Sequence, residues 1–327
     1  MRELTVMRND AGQRLDKFLS KAVRGMPQSM MYKCIRTKKI KVNRKRAEPD
    51  MRLCEGDTVQ LFVSEEFFSS PSEDSGALLR IKPKLEIIFE DDNIILCNKR
   101  PGVLVHEDTE GNENTLIMHI KAYLAQKGCY DPRDEQSFAP ALCNRIDRNT
   151  GGIVIAAKNA AALREMNERI RNGEVHKFYI CEIHGIAQPP KGRLVSWMKK
   201  DSEANTVSVS DVKRQGYKEC ITDYRTLAVD RKNNLSLLEI ALVTGRTHQI
   251  RAQFSHIGHP LVGDGKYGIN RDDRARGYKY QALYSYRVKF EFPDRDGVLE
   301  PINGREFSIP VGQIWFCGDF GYGEEDN

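Results

Sequence analysis

The sequence predicts an α+β protein in which a small basic helix-helix-sheet module precedes a larger body with a mixed, mostly antiparallel sheet. Positive charge is concentrated at the start, because residues 1–62 contain 15 Lys and Arg against 7 Asp and Glu, whereas the whole 327-residue chain carries only +5. The apolar residues of this basic segment follow first a helical period and then an alternating one. The rest of the chain contains many strand-like runs and few helical ones, joined by both hairpins and helices, as in α+β folds.

The basic module is predicted to contain two helices and a small sheet. Leu15, Phe18 and Leu19 lie at helical spacing within residues 14–24, which predicts an amphipathic helix. Ser29 is expected to cap a second helix that ends in basic residues. Short strands are expected to follow at residues 40–42 and 58–63, separated by polar turns.

The next segment, residues 64–80, is rich in Ser, acidic residues, Pro and Gly without a sustained period, which is typical of a linker. Domains are therefore expected at residues 1–63 and 81–327. Apolar runs of the second domain predict strands within residues 85–99, 151–158, 177–185, 234–243 and 286–293. Helical patterns cover residues 113–128 and 161–173.

Composition excludes several classes of protein. No stretch reaches the ~18 uninterrupted apolar residues of a membrane span, and the charged first residues do not resemble a secretory signal. We therefore expect a cytoplasmic protein that does not enter a membrane, with a monomer as the default. The 8 cysteines are scattered singly, without a CxxC pair or a short Cys/His cluster, so neither a disulfide framework nor a zinc site is expected.

Three polar segments near expected strand ends hold the candidate chemistry. In the first, residues 144–152, Asp147 lies between two arginines and just before Asn-Thr-Gly-Gly. An isolated aspartate in such a position is most often a turn residue or a salt-bridged carboxylate. Its arginine neighbours also favour the ionised form, which suits nucleophilic or electrostatic work. Asp147 is therefore a candidate catalytic group.

The second segment, residues 176–179, places Lys177 and Tyr179 on the same side of a strand. A half-buried strand aromatic is the ordinary interpretation of Tyr179. A functional role for either residue depends on the other two segments coming close in the fold.

The third segment, residues 244–253, contains Arg246 and Arg251, which can reach phosphate or carboxylate groups. Three histidines in and after this segment raise the question of a metal site: His248, His256 and His259. No acidic ligand or HExxH helix accompanies them, so structural histidines and no metal are expected.

In this order and spacing, the segments NRIDRNTGG, HKFY and TGRTHQIRAQ resemble the RluA-type pseudouridine synthases, which modify ribosomal and transfer RNA. RLDKFL and KKIKVNRKRAEP, near the amino terminus, resemble the small RNA-binding domain first described in a small-subunit ribosomal protein. Further matching motifs occur at residues 98–106, 222–227, 258–268 and 281–293. The resemblance covers nearly the whole chain. It implies an enzyme that isomerises uridine to pseudouridine in structured RNA without a cofactor.

The resemblance also implies roles for individual residues. Asp147 matches the essential aspartate of the family, Tyr179 its active-site tyrosine and Arg251 the basic residue paired with the aspartate. Arg145 matches the arginine that inserts into the RNA stack after the target base has left. The chain departs from the family pattern at Asn144, which replaces a usual His, and at Gly151, which replaces a usual Ser.

These groups suit the chemistry of the reaction. Asp147 can attack the anomeric carbon of the ribose or assist deprotonation of the sugar, and the sequence leaves both routes open. Tyr179 is expected to stack on the base and help to remove the displaced ring proton. Ile250 and Leu242 are expected to line an apolar floor that keeps water from the intermediate. Further RNA contacts are expected from Lys177, Arg246, His248, Lys38, Lys39, Arg44 and Lys45.

Two other functions remain as alternatives. A non-catalytic RNA-binding or ribosome-assembly factor would use the body as a platform, although a carboxylate in a phosphate-facing cleft would weaken its attraction for RNA. A histidine-dependent nuclease or metal hydrolase would use the three histidines named above. For the isomerase, the basic module favours large-subunit ribosomal RNA over transfer RNA, and loops such as residues 191–216 are expected to help read RNA shape.

Overall fold

The computed structural model describes residues 1–68, 75–106, 114–132, 137–201 and 203–321. Its first strands are β1 (Arg2–Thr5), β2 (Ile40–Val42), β3 (Lys45–Arg46), β4 (Thr58–Leu61), β5 (Ile87–Glu90), β6 (Ile94–Lys99), β7 (Ala141–Leu142) and β8 (Gly151–Ala157). The later strands are β9 (Val175–His184), β10 (Lys191–Asp201), β11 (Thr206–Ser210), β12 (Lys218–Asp230), β13 (Leu235–Leu242), β14 (Leu283–Phe290) and β15 (Glu306–Ser308). The helices are α1 (Leu15–Ala22), α2 (Gln28–Arg36), α3 (Ser75–Arg80), α4 (Leu116–Gln126), α5 (Ala160–Arg171), α6 (Gln249–His256) and α7 (Arg271–Ala275).

The strands form two sheets. The amino-terminal sheet has four strands in the order β1-β4-β2-β3, all antiparallel. The second sheet has eleven, in the order β11-β10-β12-β13-β9-β14-β8-β6-β5, with β15 paired to β14 and β7 to β8. Among its described pairings only β14 with β8 is parallel. The predicted α+β class and the mixed, mostly antiparallel sheet are therefore confirmed.

The amino-terminal module buries the apolar faces that its sequence predicts. Leu15, Phe18 and Leu19 are at most 1% exposed and pack in one cluster with Ile35 and Val59. Such burial of an amphipathic face supplies most of the stability of a short helix. The predicted order of helix, helix and sheet is thus present.

One detail of the second helix was predicted incorrectly. Helix α2 begins at Gln28, and Pro27 rather than Ser29 occupies the N-cap position, with no side-chain cap. The backbone of Pro27 is extended, at φ −58° and ψ 142°, and its ring fixes φ near that value. The chain therefore turns into the helix one residue before Ser29 can act as a cap.

The basic residues expected to bind RNA lie on the turns of this module. Lys38, Lys39, Arg44 and Lys45 are all exposed. The β2–β3 hairpin turns through Asn43 and Arg44, at φ 50° and 65°, the left-handed pair that suits the twist of a two-residue hairpin. This turn presents Arg44 and Lys45 to solvent.

A small polar contact joins the module to the body. Gln13 donates a hydrogen bond to Ser137 Oγ at 2.5 Å, and the Ser137 hydroxyl in turn donates to the fully buried Asp10. Asn9 Oδ1 accepts from the backbone N–H of Ala160, at the start of α5, at 3.3 Å.

The segment expected to be a linker is partly structured. It contains a 3-10 turn at Glu65–Phe68 and helix α3, which packs against α4 through the buried Leu78. Residues 69–74 lie outside the described part of the chain.

Strand β9 runs through the middle of the large sheet between β13 and β14. The two faces of the sheet bury separate apolar clusters, and Ile180 of β9 belongs to one while Tyr179 belongs to the other. The cluster around Tyr179 also contains Ile240 of β13 and Ile250 and Phe254 of α6. Strand alternation thus assigns Tyr179 to the face that α6 covers.

One sequence-based expectation for the body was wrong. Residues 191–216, expected to be loops, form the antiparallel β10–β11 hairpin, with Trp197 paired to Ser210. The polar segment at residues 244–253 follows the end of β13 at Leu242, as expected, and leads into helix α6, whose N-cap is His248. Within the described residues, no helix is long and apolar enough to cross a membrane.

Glu90, at the end of β5, provides a pH-dependent contribution to stability. Its carboxylate is 12% exposed and accepts from Lys158 at 2.7 Å, Tyr123 at 2.8 Å and Lys127 at 3.0 Å. Burial favours the neutral acid, but these hydrogen bonds and the charge of Lys158 outweigh it and lower the pKa of Glu90 to about 2.

We expect Glu90→Gln to lower the free energy of unfolding by about 2 kcal/mol at pH 7, because it removes charge-assisted hydrogen bonds. Since the folded pKa is depressed, the stabilisation is complete above the ordinary glutamate pKa of 4.5 and is lost as the pH falls toward about 2. Urea unfolding of both proteins at pH 7 and pH 3 measures the difference. A difference that does not shrink at pH 3 would contradict the assignment.

Candidate active site

Asp147 lies in the loop between β7 and β8, and several backbone bonds fix that loop. Asn144 Oδ1 accepts from the N–H of Ile155 at 2.7 Å, and its amide donates to the carbonyl of Ile153 at 3.4 Å. Ile146 is 6% exposed and packs in the Tyr179 cluster. The amide at position 144, where the family pattern has His, therefore anchors the loop directly to β8.

A buried lysine also holds this loop in place. Lys99 is 1% exposed, and its ammonium donates to the carbonyls of Arg148 at 2.8 Å, Val103 at 2.9 Å and Arg100 at 3.1 Å. Burial lowers the pKa of Lys99 to about 7, against the opposing charge of Asp147. Three carbonyl acceptors match the three N–H donors of an ammonium group. Lys99 belongs to a motif noted in the sequence, but its role was not predicted.

The Asp147 carboxylate meets a guanidinium that is itself held by a second carboxylate. Arg251 Nη1 donates to Asp147 Oδ2 at 2.6 Å, while Nε and Nη2 form a bidentate pair with Asp264 at 2.7 and 2.9 Å. The side chain of Arg251 is 8% exposed, that of Asp264 is 0% and that of Asp147 is 26%. The sequence-based pairing of Arg251 with Asp147 is present, and Asp264 is an addition that sequence reasoning missed.

Arg251, Asp147 and Asp264 form a triad, and its electrostatics keep the buried groups charged. Burial opposes ionisation of Asp264, but the hydrogen bonds and charge of Arg251 lower the pKa of Asp264 below its ordinary value. Burial likewise opposes the charge of Arg251, while Asp264 and then Asp147 raise its pKa. Arg251 Nη1 takes only Oδ2 of Asp147, and Oδ1 accepts no hydrogen bond from the described residues. One carboxylate oxygen thus faces the site.

Tyr179 approaches the same centre from β9. It is 6% exposed, and burial raises its pKa to about 12, with a smaller contribution from the charge of Asp147. The phenol is therefore protonated at neutral pH, which suits it as a stacking surface and hydrogen-bond donor. Lys177, two residues earlier on the same side of the strand, is half-buried, and burial lowers its pKa.

Ile250 and Leu242, the residues expected to form an apolar floor, lie in the cluster around Tyr179. Ile250 is 4% exposed, and Leu242 packs against the same cluster. Leu242 pairs with Lys177 across β13 and β9, and Ile240 pairs with Tyr179. The surroundings of Tyr179 on this face of the sheet are therefore apolar.

His248 borders the carboxylate on the other side. Its backbone is left-handed, at φ 54°, and its Nε2 lies 3.8 Å from Asp147 Oδ2. Its Nδ1 lies 2.8 Å from the hydroxyl of Tyr267, whose ring faces the Arg251 guanidinium at 5.3 Å. Tyr267 is a second residue that sequence reasoning missed, although its motif at residues 258–268 was noted.

The other histidines do not converge on His248. His256 Nε2 lies 2.9 Å from Asp211 Oδ1, and His259 Nδ1 lies 2.9 Å from the carbonyl of His184. Within the described ranges, no group of three or more His, Cys, Asp or Glu side chains is arranged to hold a metal ion.

The remaining predicted residues are surface cations. Arg145, two residues before Asp147, is exposed. Arg246 is also exposed, and its Nε donates to the carbonyl of Glu219 at 3.2 Å. The basic residues of the amino-terminal module lie on its own turns and do not join the carboxylate centre.

Gly151, the second departure from the family pattern, has a steric cause. It pairs with Tyr284 across the parallel β8–β14 contact, and a Cβ at position 151 would overlap the ring of Tyr284. The Tyr284 hydroxyl donates to Asn98 Oδ1 at 2.8 Å, which holds the ring in place. The glycine is therefore the complement of this tyrosine.

A basic module, a mixed sheet, a carboxylate held by a buried guanidinium and nearby surface cations are together the features of an RNA-modifying enzyme. The comparisons with known proteins agree. The RNA pseudouridylate synthase family model matches residues 93–256, and the S4 domain model matches residues 13–59. The chain belongs to the RNA pseudouridylate synthase family, and it isomerises uridine to pseudouridine in RNA.

Similar proteins match this chain over most of its length. The ribosomal large subunit pseudouridine synthase C of Haemophilus influenzae is 30% identical over 302 residues, which are 90% of this chain and 89% of that protein. An uncharacterized RNA pseudouridine synthase of Mycoplasma genitalium is 32% identical over 88% of its length and 87% of this chain. The structure of human RNA pseudouridylate synthase domain containing 1 has a similar fold, with a TM-score of 0.52 and 22% identity over 67% of this chain and 84% of that one.

Asp264 provides a test of the buried triad. We expect Asp264→Asn to lower the free energy of unfolding by about 3–5 kcal/mol, because it leaves the buried Arg251 with an incomplete partner. Asp223→Asn is a matched control, since Asp223 also forms a two-pronged pair, with Arg193 at 2.6 and 2.7 Å, but that arginine is 59% exposed. Exposed pairs contribute about 0–1 kcal/mol. Equal losses for the two variants in urea unfolding would show that burial of the triad is not what stabilises it.

Proposed function

We propose that this enzyme isomerises specific uridines of large-subunit ribosomal RNA, with Asp147 as the catalytic carboxylate, Arg251 as its partner and Tyr179 in the base pocket. The observation that carries the catalytic assignment is the asymmetry of Asp147: Oδ2 is bound to Arg251 at 2.6 Å, while Oδ1 is left for the substrate. The substrate proposal draws on relatives named ribosomal large subunit pseudouridine synthase C and on the basic amino-terminal module.

The geometry suits the steps of the reaction. The uridine is flipped from its stack to reach a carboxylate inside a cleft, and the exposed Arg145 beside Asp147 can fill the vacated space with a planar cation. Oδ1 of Asp147 then either attacks the anomeric carbon or takes a proton from the neighbouring sugar carbon, and in both routes the bond from the anomeric carbon to the base nitrogen breaks and the base keeps the electron pair. The base turns and bonds to the anomeric carbon through a ring carbon, which releases Asp147 or returns its proton to the sugar. The proton displaced from that ring carbon passes to the freed ring nitrogen. Because the phenol of Tyr179 is neutral in the resting enzyme, it is better suited to stack on the base than to remove a proton from the base. Ile250 and Leu242 keep water from the separated base and sugar.

The domain organisation follows from the same proposal. We propose an RNA-binding domain at residues 1–63, a connecting segment at residues 64–80 and a catalytic domain at residues 81–327. Asp147, Tyr179 and Arg251 all come from one chain, so a monomer acting on cytoplasmic RNA is sufficient for the reaction.

We expect Asp147→Asn to abolish pseudouridine formation, because the amide can neither attack the sugar nor accept its proton. The purified proteins are incubated with unmodified ribosomal and transfer RNA in the presence of EDTA, and pseudouridine is mapped chemically at single-nucleotide resolution. Asp223→Asn, on the surface of β12, should retain the activity. If new pseudouridine forms only in transfer RNA, transfer RNA is the substrate and the ribosomal proposal is wrong. RNA binding without any new pseudouridine would favour a non-catalytic assembly factor.

The basic turns of the amino-terminal module should set the salt dependence of RNA binding. Replacing Lys38 and Lys39 by Ala, or Arg44 and Lys45 by Ala, should reduce the slope of log affinity against log salt by about 1.4–1.8 for each pair, because each phosphate contact contributes about 0.7–0.9. The matched control is the exposed pair Arg231 and Lys232, on the turn between β12 and β13. Slopes from fluorescence anisotropy that change equally for all pairs would show that net charge, not the module, determines binding.

A further inference from the structure

We propose that His248 and Asp147 together bind the ribose 2′-hydroxyl of the target nucleotide, with the Nε2–H of His248 as the donor. This inference rests on the proposed function, because it places the target ribose against Asp147. It assigns a specific atom of the substrate to a residue that the sequence marks only as an RNA contact.

The distance between the two side chains allows one hydroxyl to hydrogen bond to both. His248 Nε2 and Asp147 Oδ2 are 3.8 Å apart, which is too long for a direct hydrogen bond. A hydroxyl oxygen to one side of the line between them can lie about 2.8 Å from each atom, an ordinary hydrogen-bond length. A hydroxyl both accepts and donates, so it can accept from the imidazole and donate to the carboxylate.

The hydrogen bonds around Tyr267 favour a proton on Nε2 of His248. The N–H of Val207 donates to the Tyr267 hydroxyl oxygen at 2.9 Å, and His248 Nδ1 is the other partner of that hydroxyl, at 2.8 Å. With Nδ1 as acceptor, the hydroxyl hydrogen of Tyr267 has a partner within the described residues. In this proposal the hydroxyl donates to Nδ1, and the proton of the neutral ring lies on Nε2, the nitrogen 3.8 Å from Asp147 Oδ2.

The surroundings keep this imidazole neutral. Burial lowers the pKa of His248, and the cations Arg251 and Lys266 lower it further, against the opposing charges of Asp147 and Asp264. The side chain is 10% exposed. A neutral ring with its donor directed at the carboxylate is ready for a polar group of the substrate without a change of protonation.

The position of this donor matches the chemistry of the ribose. Asp147 acts at the anomeric carbon or its neighbour, and the 2′-hydroxyl is attached to that neighbouring carbon. The 2′-hydroxyl is also the group that distinguishes RNA from DNA at a given nucleotide. A donor and an acceptor fixed on either side of it make His248 a specificity-determining residue.

The test compares two substrates that differ by one oxygen atom. A short RNA containing a mapped target uridine is synthesised with uridine or with 2′-deoxyuridine at that position, and single-turnover pseudouridine formation is measured. The wild-type enzyme should prefer the ribose form by about tenfold or more, the value of one hydrogen bond of about 1.4 kcal/mol. If the deoxy RNA does not react, the same ratio is read from the dissociation constants.

The variants separate the donor from the fold. His248→Asn tolerates the left-handed backbone and keeps an amide near the Nδ1 position, but lacks the donor toward Asp147. It should bring the preference close to one, while His248→Gln, with a longer amide, should retain part of it. Tyr267→Phe should weaken the preference, because His248 Nδ1 loses the hydroxyl partner that favours a proton on Nε2. His256 lies at the end of α6 beside Asp211, away from His248. His256→Gln should therefore keep the wild-type ratio.

Each outcome decides between the two proposals. A wild-type enzyme that modifies both RNAs equally, or a His248→Asn variant with an unchanged ratio, overturns the hydroxyl assignment and leaves the proposed function intact. Absence of pseudouridine in every RNA with the wild-type enzyme overturns the proposed function itself. Thermal melts of all variants confirm that each is folded under the assay conditions.

Discussion

The active site depends on one buried cation shared between two carboxylates. Arg251 is nearly inaccessible to solvent, so its buried charge needs carboxylate partners. Asp264, which is fully buried, takes two of its donor nitrogens and thereby fixes the plane of the guanidinium. Of the three N–H groups that remain, one on Nη1 donates to Asp147. Because the inner pair is already neutral, the triad keeps a net negative charge at the edge where an RNA ribose would arrive.

The sheet brings Asp147, Tyr179 and Arg251 together from distant parts of the sequence. Asp147 precedes β8, Tyr179 lies on β9, and Arg251 is carried by α6, which covers the face of the sheet that contains Tyr179. Strand β14 lies between β8 and β9 in the sheet. Lys99, at the end of β6, then holds the Asp147 loop by the backbone carbonyl of Arg148. Each side chain is therefore positioned by regular structure and not by the loop alone.

The sequence was sufficient to predict most strands and to single out Asp147, Tyr179 and Arg251, and its failures have physical causes. Strand β6 begins with the apolar run Ile94–Cys97 and is buried throughout. In the β10–β11 hairpin, Val195 is exposed whereas Ser196 and Ser210 are buried, so the apolar residues do not alternate. Lys99 was missed because a lysine is ordinarily exposed. Asp264 was missed because nothing in its own segment indicates that Arg251 lies beside it.

The contact between Gly151 and Tyr284 links two positions that are more than 130 residues apart in the chain. A serine at position 151 has no room while the tyrosine ring is present, and a smaller residue at position 284 leaves a void while the glycine is present. The two positions are therefore sterically coupled, and a larger side chain at 151 fits only together with a smaller one at 284. The glycine beside the Asp147 loop thus reflects the size of its partner across the sheet.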